Sequence, residues 1–180
     1  MPTDRTMTTV DELSVHAPLA HIFALAVDVE RWPEHLSHYR YVRFLEKRND
    51  GGGVVEMSAN RQFGPVDWPT FWVSLMTVRS PHGATGAGER FIPAIRFRHI
   101  RGVTAGMEVE WSFADSAGGT LVRIVHVWNG PRWPLIGDIA ARGVIGPVFV
   151  HGIASRTLAG LARAAERSNT TASPDEVSSE

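Results

Sequence analysis

An α+β fold, in which a curved antiparallel sheet of six to seven strands wraps a long C-terminal helix, is predicted here by three observations. Five or six extended runs follow one another between Tyr41 and Gly130, divided by loops such as "NDGGG", "RGVT" and "SAGG". The run "GMEVEWSF" alternates strictly, with Met107, Val109, Trp111 and Phe113 on one face and Glu108, Glu110 and Ser112 on the other. That is the period of an antiparallel strand with one buried and one wet side. The chain then ends in "PLIGDIAARGVIGPVFVHGIASRTLAGLARAAER", helix-like for about thirty residues. Its apolar stripe (Ile136, Ile139, Gly143, Val150, Ala154, Leu158 and Leu161) needs a partner, and the only large apolar surface available is the inner face of the sheet.

Taken in order, "TVDELSVHA" is short and partly alternating, an edge strand. "PLAHIFALAVD" places Pro18 at a helix start and Leu19, Ile22, Phe23 and Ala26 on one helical face. "VERWPEHLS" reads as a second short helix with Asp28 as N-cap. The strands "YVRFLEKR", "VVEMSANR", "VDWPTFWVSLMTVRS", "RFIPAIRFRHI", "AGMEVEWSFAD" and "TLVRIVHVWNG" come next, and Pro147 is expected to kink the final helix. "SNTTASPDEVSSE" is polar and ends acidic. We therefore expect one domain over residues 8–167 and a disordered tail over 168–180.

Composition narrows the function classes. A formal net charge of −1 provides no general basic field for nucleic acid. The chain has no cysteine, which removes disulfides, thiolate metal sites and a cysteine nucleophile. "MPTDRTMTTV" lacks the apolar core of a signal peptide, and no 18-residue apolar run occurs. A cytoplasmic protein without a membrane span is expected, as a monomer or homodimer.

The segments "APLAHIFALAVDVERWPEHLSHYRYVRFLE", "FWVS" and "GMEVEWSFADSAGGTLVRIVHVW", followed by the long helix, resemble the helix-grip superfamily (START-like, Bet v 1-like, SRPBCC). The likeness is to its polyketide cyclase/dehydrase branch and covers about residues 8–167. It implies a cavity between sheet and helix, a hydrophobic small-molecule ligand, and a role of the kind found in antibiotic biosynthesis. It also implies that Trp32-Pro33 closes the short helices and that Tyr39 stands where the family's aromatase/cyclases carry a cavity tyrosine. One departure matters. Those cyclases place an arginine shortly after "WVS", and with "WVS" at Trp72, Val73 and Ser74 that position is Met76, whose thioether neither stabilises an oxyanion nor moves a proton.

Strand period then nominates the residues facing such a cavity. Trp68, Trp72, Ser74 and Met76 share a face, as do Phe97 and His99, Met107 and Trp111, and His126 and Trp128, while Arg61 follows the phase of Val55, Met57 and Ala59. Tyr39, Arg61, His99 and His126 are the candidate catalytic residues. Each histidine is open to two readings, a hydrogen-bonded core imidazole or a proton shuttle for an enolising substrate. Arg61 is equally placed to snorkel to solvent from a strand end. His35 and His38 lie three apart without an acidic partner, so no metal is expected, and no cofactor. "GATGAG" lacks a phosphate-loop context, and "RGVT" (Arg101 to Thr104) reads as a turn alone.

Three functions are compatible with these residues. The first is a cyclase or aromatase promoting aldol cyclisation or dehydration of a hydrophobic intermediate. The second is a non-catalytic binder or carrier of a lipid, quinone or polyketide-like molecule. The third is a module that docks a protein on its sheet.

Overall fold

The computed structural model of the chain describes residues 7–63, 66–81, 92–129 and 151–171. Seven strands form one antiparallel sheet: β1 (Met7–Val15), β2 (Tyr39–Lys47), β3 (Gly53–Phe63), β4 (Val66–Arg79), β5 (Ala94–Gly102), β6 (Glu108–Ser116) and β7 (Gly119–Trp128). Their spatial order is β1-β7-β6-β5-β4-β3-β2, so the first two strands are the two edges and the remainder is a meander of hairpins. Between β1 and β2 lie helix α1 (Leu19–Val27), a 3-10 turn (Val29–Arg31) and helix α2 (Trp32–His35). The C-terminal helix α3 (His151–Thr171) closes the inner face.

The local reasons are those the pattern implies. Proline at position 18 precedes the first helical residue, and Ile22, Phe23 and Ala26 bury the face that α1 turns to the core. Asp28 makes no capping hydrogen bond, contrary to expectation; its place before Pro33 leaves one 3-10 turn and one α-turn rather than a capped helix. Buried residues on β6 (Val109, Trp111, Phe113) alternate with partly exposed Glu108, Glu110 and Ser112, and Glu110 pairs with Arg96 across the outer surface. On the inner face of α3, Ala154, Leu158, Leu161 and Ala165 are buried. Phe23 meets Phe113 edge-on at 5.1 Å, joining α1 to the sheet.

Two departures from regular geometry position the site. Ser74 pairs with His99 but Val73 pairs with Arg101, so Ile100 is an extra residue on β5. Next, Gly102 adopts φ 95° against β4, where a Cβ would meet the Phe71 carbonyl oxygen and Trp72. Together they turn the β5–β6 connection inward. α3 ends at Thr171, so positions 168–171, expected in the tail, are helical. Residues 172–180, the expected helical stretch 134–150 with its Pro147 kink and the "GATGAG" loop lie outside the described residues. Among those that are described, no helix is long and apolar enough to cross a membrane.

Candidate functional site

A cavity of about 60 Å³ lies between sheet and α3. Its aromatic wall is built by Trp32 of α2, Tyr39 of β2, Trp72 of β4, Phe97 of β5 and Trp111 of β6. Trp32 is the hub. Its ring stacks on Trp111 at 5.5 Å, meets Tyr39 edge-on at 5.3 Å and lies 6.1 Å from Phe97. Its indole Nε1 donates to the Leu25 carbonyl at 3.3 Å, satisfying the one polar atom that packing would otherwise strand. The Trp-Pro pair, expected to close the short helices, instead opens the second of them, with Pro33 in its first turn, and Trp32 walls the cavity. Aliphatic lining comes from Met57, Met107, Val109 and Ile124 on the sheet and from Ile153 and Ala154 on α3.

Polar groups enter this apolar box in a repeated form, a histidine paired with a threonine. His99, 8% exposed, bonds through Nδ1 to Thr104 Oγ1 at 2.7 Å, and its ring stacks at 5.9 Å on Trp72. His126, 9% exposed, has Nδ1 3.4 Å from Thr9 Oγ1 of β1. His38 Nε2 bonds to Thr157 Oγ1 of α3 at 3.0 Å, and Thr157 lines the cavity. A hydroxyl both donates and accepts, so it supports either imidazole tautomer. For His99 and His126 the tautomer then decides whether Nε2 is a base or an N–H acid. Among the described residues that line the cavity, none carries a fixed charge.

The nominated residues separate into three groups. Tyr39, His99, His126, Trp72, Phe97, Met107 and Trp111 all line the cavity. Ser74, Met76 and Trp128 are fully buried but stand behind the lining; Trp128 Nε1 donates to the Ala105 carbonyl at 3.1 Å and so props the β5–β6 turn. Trp68 is a correction. It is 61% exposed, because the β3–β4 hairpin runs past the last β4–β5 pair at Trp72, leaving Trp68 about 13 Å farther along the strand, beyond the β5 pairing. Arg61 is its ladder partner on β3, and the Arg61 side chain lies outside the described residues.

A second correction concerns "RGVT". Thr104 is 1% exposed and holds His99 in the cavity wall, so this turn is part of the site. Gly102 and Gly106, both at positive φ, fold it back, and Gly106 N donates to His99 O at 2.8 Å while His99 N donates to Met107 O at 2.9 Å. Period-two reasoning stops at the strand end and could not reach Thr104; the flanking glycines were the only available signal. Thr157 was missed for another reason, since a threonine at the edge of a helix's apolar stripe looks like surface.

Residues 15–146 match the family model described as polyketide cyclase/dehydrase and lipid transport. Among solved structures, the chain is similar to a protein from Thermus thermophilus, at 16% identity and a TM-score of 0.71, over 89% of this chain and 98% of that one. It is similar as well to the Zhui aromatase/cyclase from a Streptomyces species, at 18% identity and a TM-score of 0.69, over 89% and 93% of the two chains. A START superfamily protein from Mycobacterium smegmatis aligns at 18% identity and a TM-score of 0.59, over 92% and 99%. At these identities the likeness is one of architecture, and the architecture is the helix grip.

Proposed function

This chain belongs to the polyketide cyclase/dehydrase and lipid transport family, and on that premise we propose that it promotes aldol cyclisation or dehydration of an apolar, enolisable intermediate. The observation that supports this reading most is the pair of histidines, His99 and His126, on the wall of a cavity otherwise built from aromatic and aliphatic side chains and two threonines. An apolar wall holds a flexible ketone chain in one fold, and orientation of this kind supplies a large share of the rate for a reactive chain. One imidazole removes a proton α to a carbonyl, and a neutral donor (the other imidazole, Tyr39 or Thr157) meets the developing enolate oxygen.

Size limits what enters. About 60 Å³ holds roughly four waters, against about 300–1,000 Å³ for ligand pockets in general. The cavity is therefore read as taking the reacting segment of a ligand, not its whole length. A second reading, non-catalytic binding or transport of a hydrophobic molecule, draws on Met76, which is buried where the family's cyclases carry arginine, and on the uncharged lining.

Product profiling separates the two. A poly-β-ketone released by a minimal polyketide synthase is expected to give a higher share of regiospecifically cyclised product with the protein than without it. His99→Phe and His126→Phe, each assayed well below its own melting temperature, should return that share to the uncatalysed ratio. An unchanged ratio with the wild-type protein refutes the catalytic reading, and an apolar ligand extracted from the purified protein would then favour the carrier.

A further inference from the structure

Of the three histidine–threonine pairs, one crosses the chamber wall. Thr157, 1% exposed, lines the cavity from α3. Its Oγ1 lies 3.0 Å from Nε2 of His38, which stands in the segment that joins α2 to β2. On the far side, His38 is partly exposed and lines a groove of about 500 Å³ between that segment and α3. A hydroxyl and an imidazole in hydrogen-bond contact thus join the chamber to the groove. The His99 pair differs, because its partner Thr104 is itself only 1% exposed.

The surroundings hold this pair in register. Leu36 packs over Gly160, where any Cβ would strike its Cδ2, and the contact forms the groove floor one helical turn from Thr157. The His38 carbonyl accepts the Asn60 N–H at 2.8 Å, and the Leu36 carbonyl accepts the Tyr39 N–H at 2.9 Å. The imidazole also lies against the Tyr39 ring, with centroids 4.7 Å apart. A hydroxyl donates and accepts at once, and an imidazole gains a proton at one nitrogen as it loses one from the other. Such a pair passes a proton without either member keeping a charge. The chamber has a use for it: an oxyanion formed there meets no fixed cation among the described lining residues, and an unneutralised charge in an apolar site is costly.

We propose that His38 and Thr157 form a proton path between groove water and the chamber, with Thr157 the donor to the enolate oxygen. The donor role rests on the cyclase reading; the path does not. In the step, the Thr157 O–H proton passes to the enolate oxygen, the His38 Nε2–H proton replaces it on Thr157, and groove water or a buffer acid protonates Nδ1. His38 ends as its other neutral tautomer, and solvent has supplied one proton. The path is read without turnover, by NMR of 15N-histidine-labelled protein, as the exchange with water of the His99 ring N–H. Water in the chamber links that ring to Thr157. Thr157→Val and His38→Gln should each slow the exchange about tenfold or more. Glutamine still offers Thr157 a hydrogen-bond acceptor but cannot relay a proton, so a merely structural His38 would leave the rate unmoved. Thr157→Ser should keep the wild-type rate, and imidazole added to His38→Gly should restore it. Wild-type exchange in Thr157→Val and His38→Gln overturns the path, as does no response to imidazole. Turnover then tests the donor role: His38→Gln should lower the initial rate of cyclisation about tenfold or more. An undiminished rate beside slowed exchange removes the donor role and keeps the path. A wild-type protein without effect on the product ratio removes the donor role together with the cyclase reading, while exchange still decides the path.

Discussion

The two sides of α3 meet opposite chemistry. Inward, Ile153, Ala154 and Thr157 close a neutral, aromatic cavity of about 60 Å³. Outward, Arg156 and Arg163 border a groove of about 500 Å³ between α3 and the segment that joins α2 to β2. The inner side is held by packing, where every atom has neighbours and removal leaves a void. On the outer side, Leu36 is seated on Gly160 and His38 bonds Thr157 at 3.0 Å. Stability should therefore depend far more on the inner face than on the outer one, and that separation is open to attack.

The largest effect is expected at the aromatic hub. Trp111→Ala removes the ring stacked on Trp32 in a position only 4% exposed and should cost about 3–5 kcal/mol in chemical denaturation. R156Q/R163Q should stay within about 0.5 kcal/mol of wild type in the same assay. Comparable losses in the two proteins would erase the distinction.

Next comes the buried polar pair. Thr104→Val keeps the shape but strands Nδ1 of His99, which should cost about 1–3 kcal/mol. Thr104→Ser, which retains the hydroxyl, should recover most of that loss. A valine variant as stable as the serine one would mean that the 2.7 Å bond contributes nothing.

A smaller effect is expected where the faces join. Gly160→Ala gains helix propensity worth about 1 kcal/mol but drives a methyl into Leu36, which is 2% exposed and has little room to yield. A net loss of about 1 kcal/mol is expected, relieved by adding Leu36→Val in a double-mutant cycle. Net stabilisation by Gly160→Ala alone would show that the groove floor is loose.

The smallest effect calibrates an ordinary surface contact beside the same segment. Glu30 accepts the Phe44 N–H at 3.2 Å and bonds Lys47 at 3.1 Å. The Phe44 N–H first, and Lys47 after it, hold its carboxyl below the usual 4.5 against the opposing effect of desolvation. A depressed folded-state pKa means stability that is present above 4.5 and lost as pH falls through the lower folded value. Glu30→Gln should thus lower stability at pH 7 by less than about 0.5 kcal/mol, given the exposure of the pair. The difference from wild type should fade in strong acid; a constant difference down to pH 2 would remove the carboxylate from the explanation.

Alternation along a strand is a local property, and wherever neighbouring strands continued on both sides it could be read directly. It put Trp72, Phe97, His99, Met107, Trp111 and His126 on the face that lines the cavity. It failed at Trp68 because the face of a strand says nothing about whether another element reaches that far. Ser74, Met76 and Trp128 point the same way as their neighbours yet stand behind the lining, since a cavity this small touches only part of a face. The groove was illegible for a related reason. His35 and His38 are more than a hundred positions from Arg156 and Arg163, and the seating of Leu36 on Gly160 and the His38–Thr157 bond bring them together.

The extra residue at Ile100 has a consequence for the charge of the chamber. Phe97 and His99 face inward and Arg98 outward, so unbroken alternation would send Ile100 out and Arg101 in, opposite Trp72. Instead Ile100 and Arg101 are both exposed, and the residue brought opposite Trp72 is Gly102. A guanidinium is kept out of the interior by an inserted position and not by the choice of an uncharged residue. The neutrality of the chamber is thus a matter of counting along β5. The same residues paired without the bulge would set Arg101 opposite Trp72 and enclose different electrostatics.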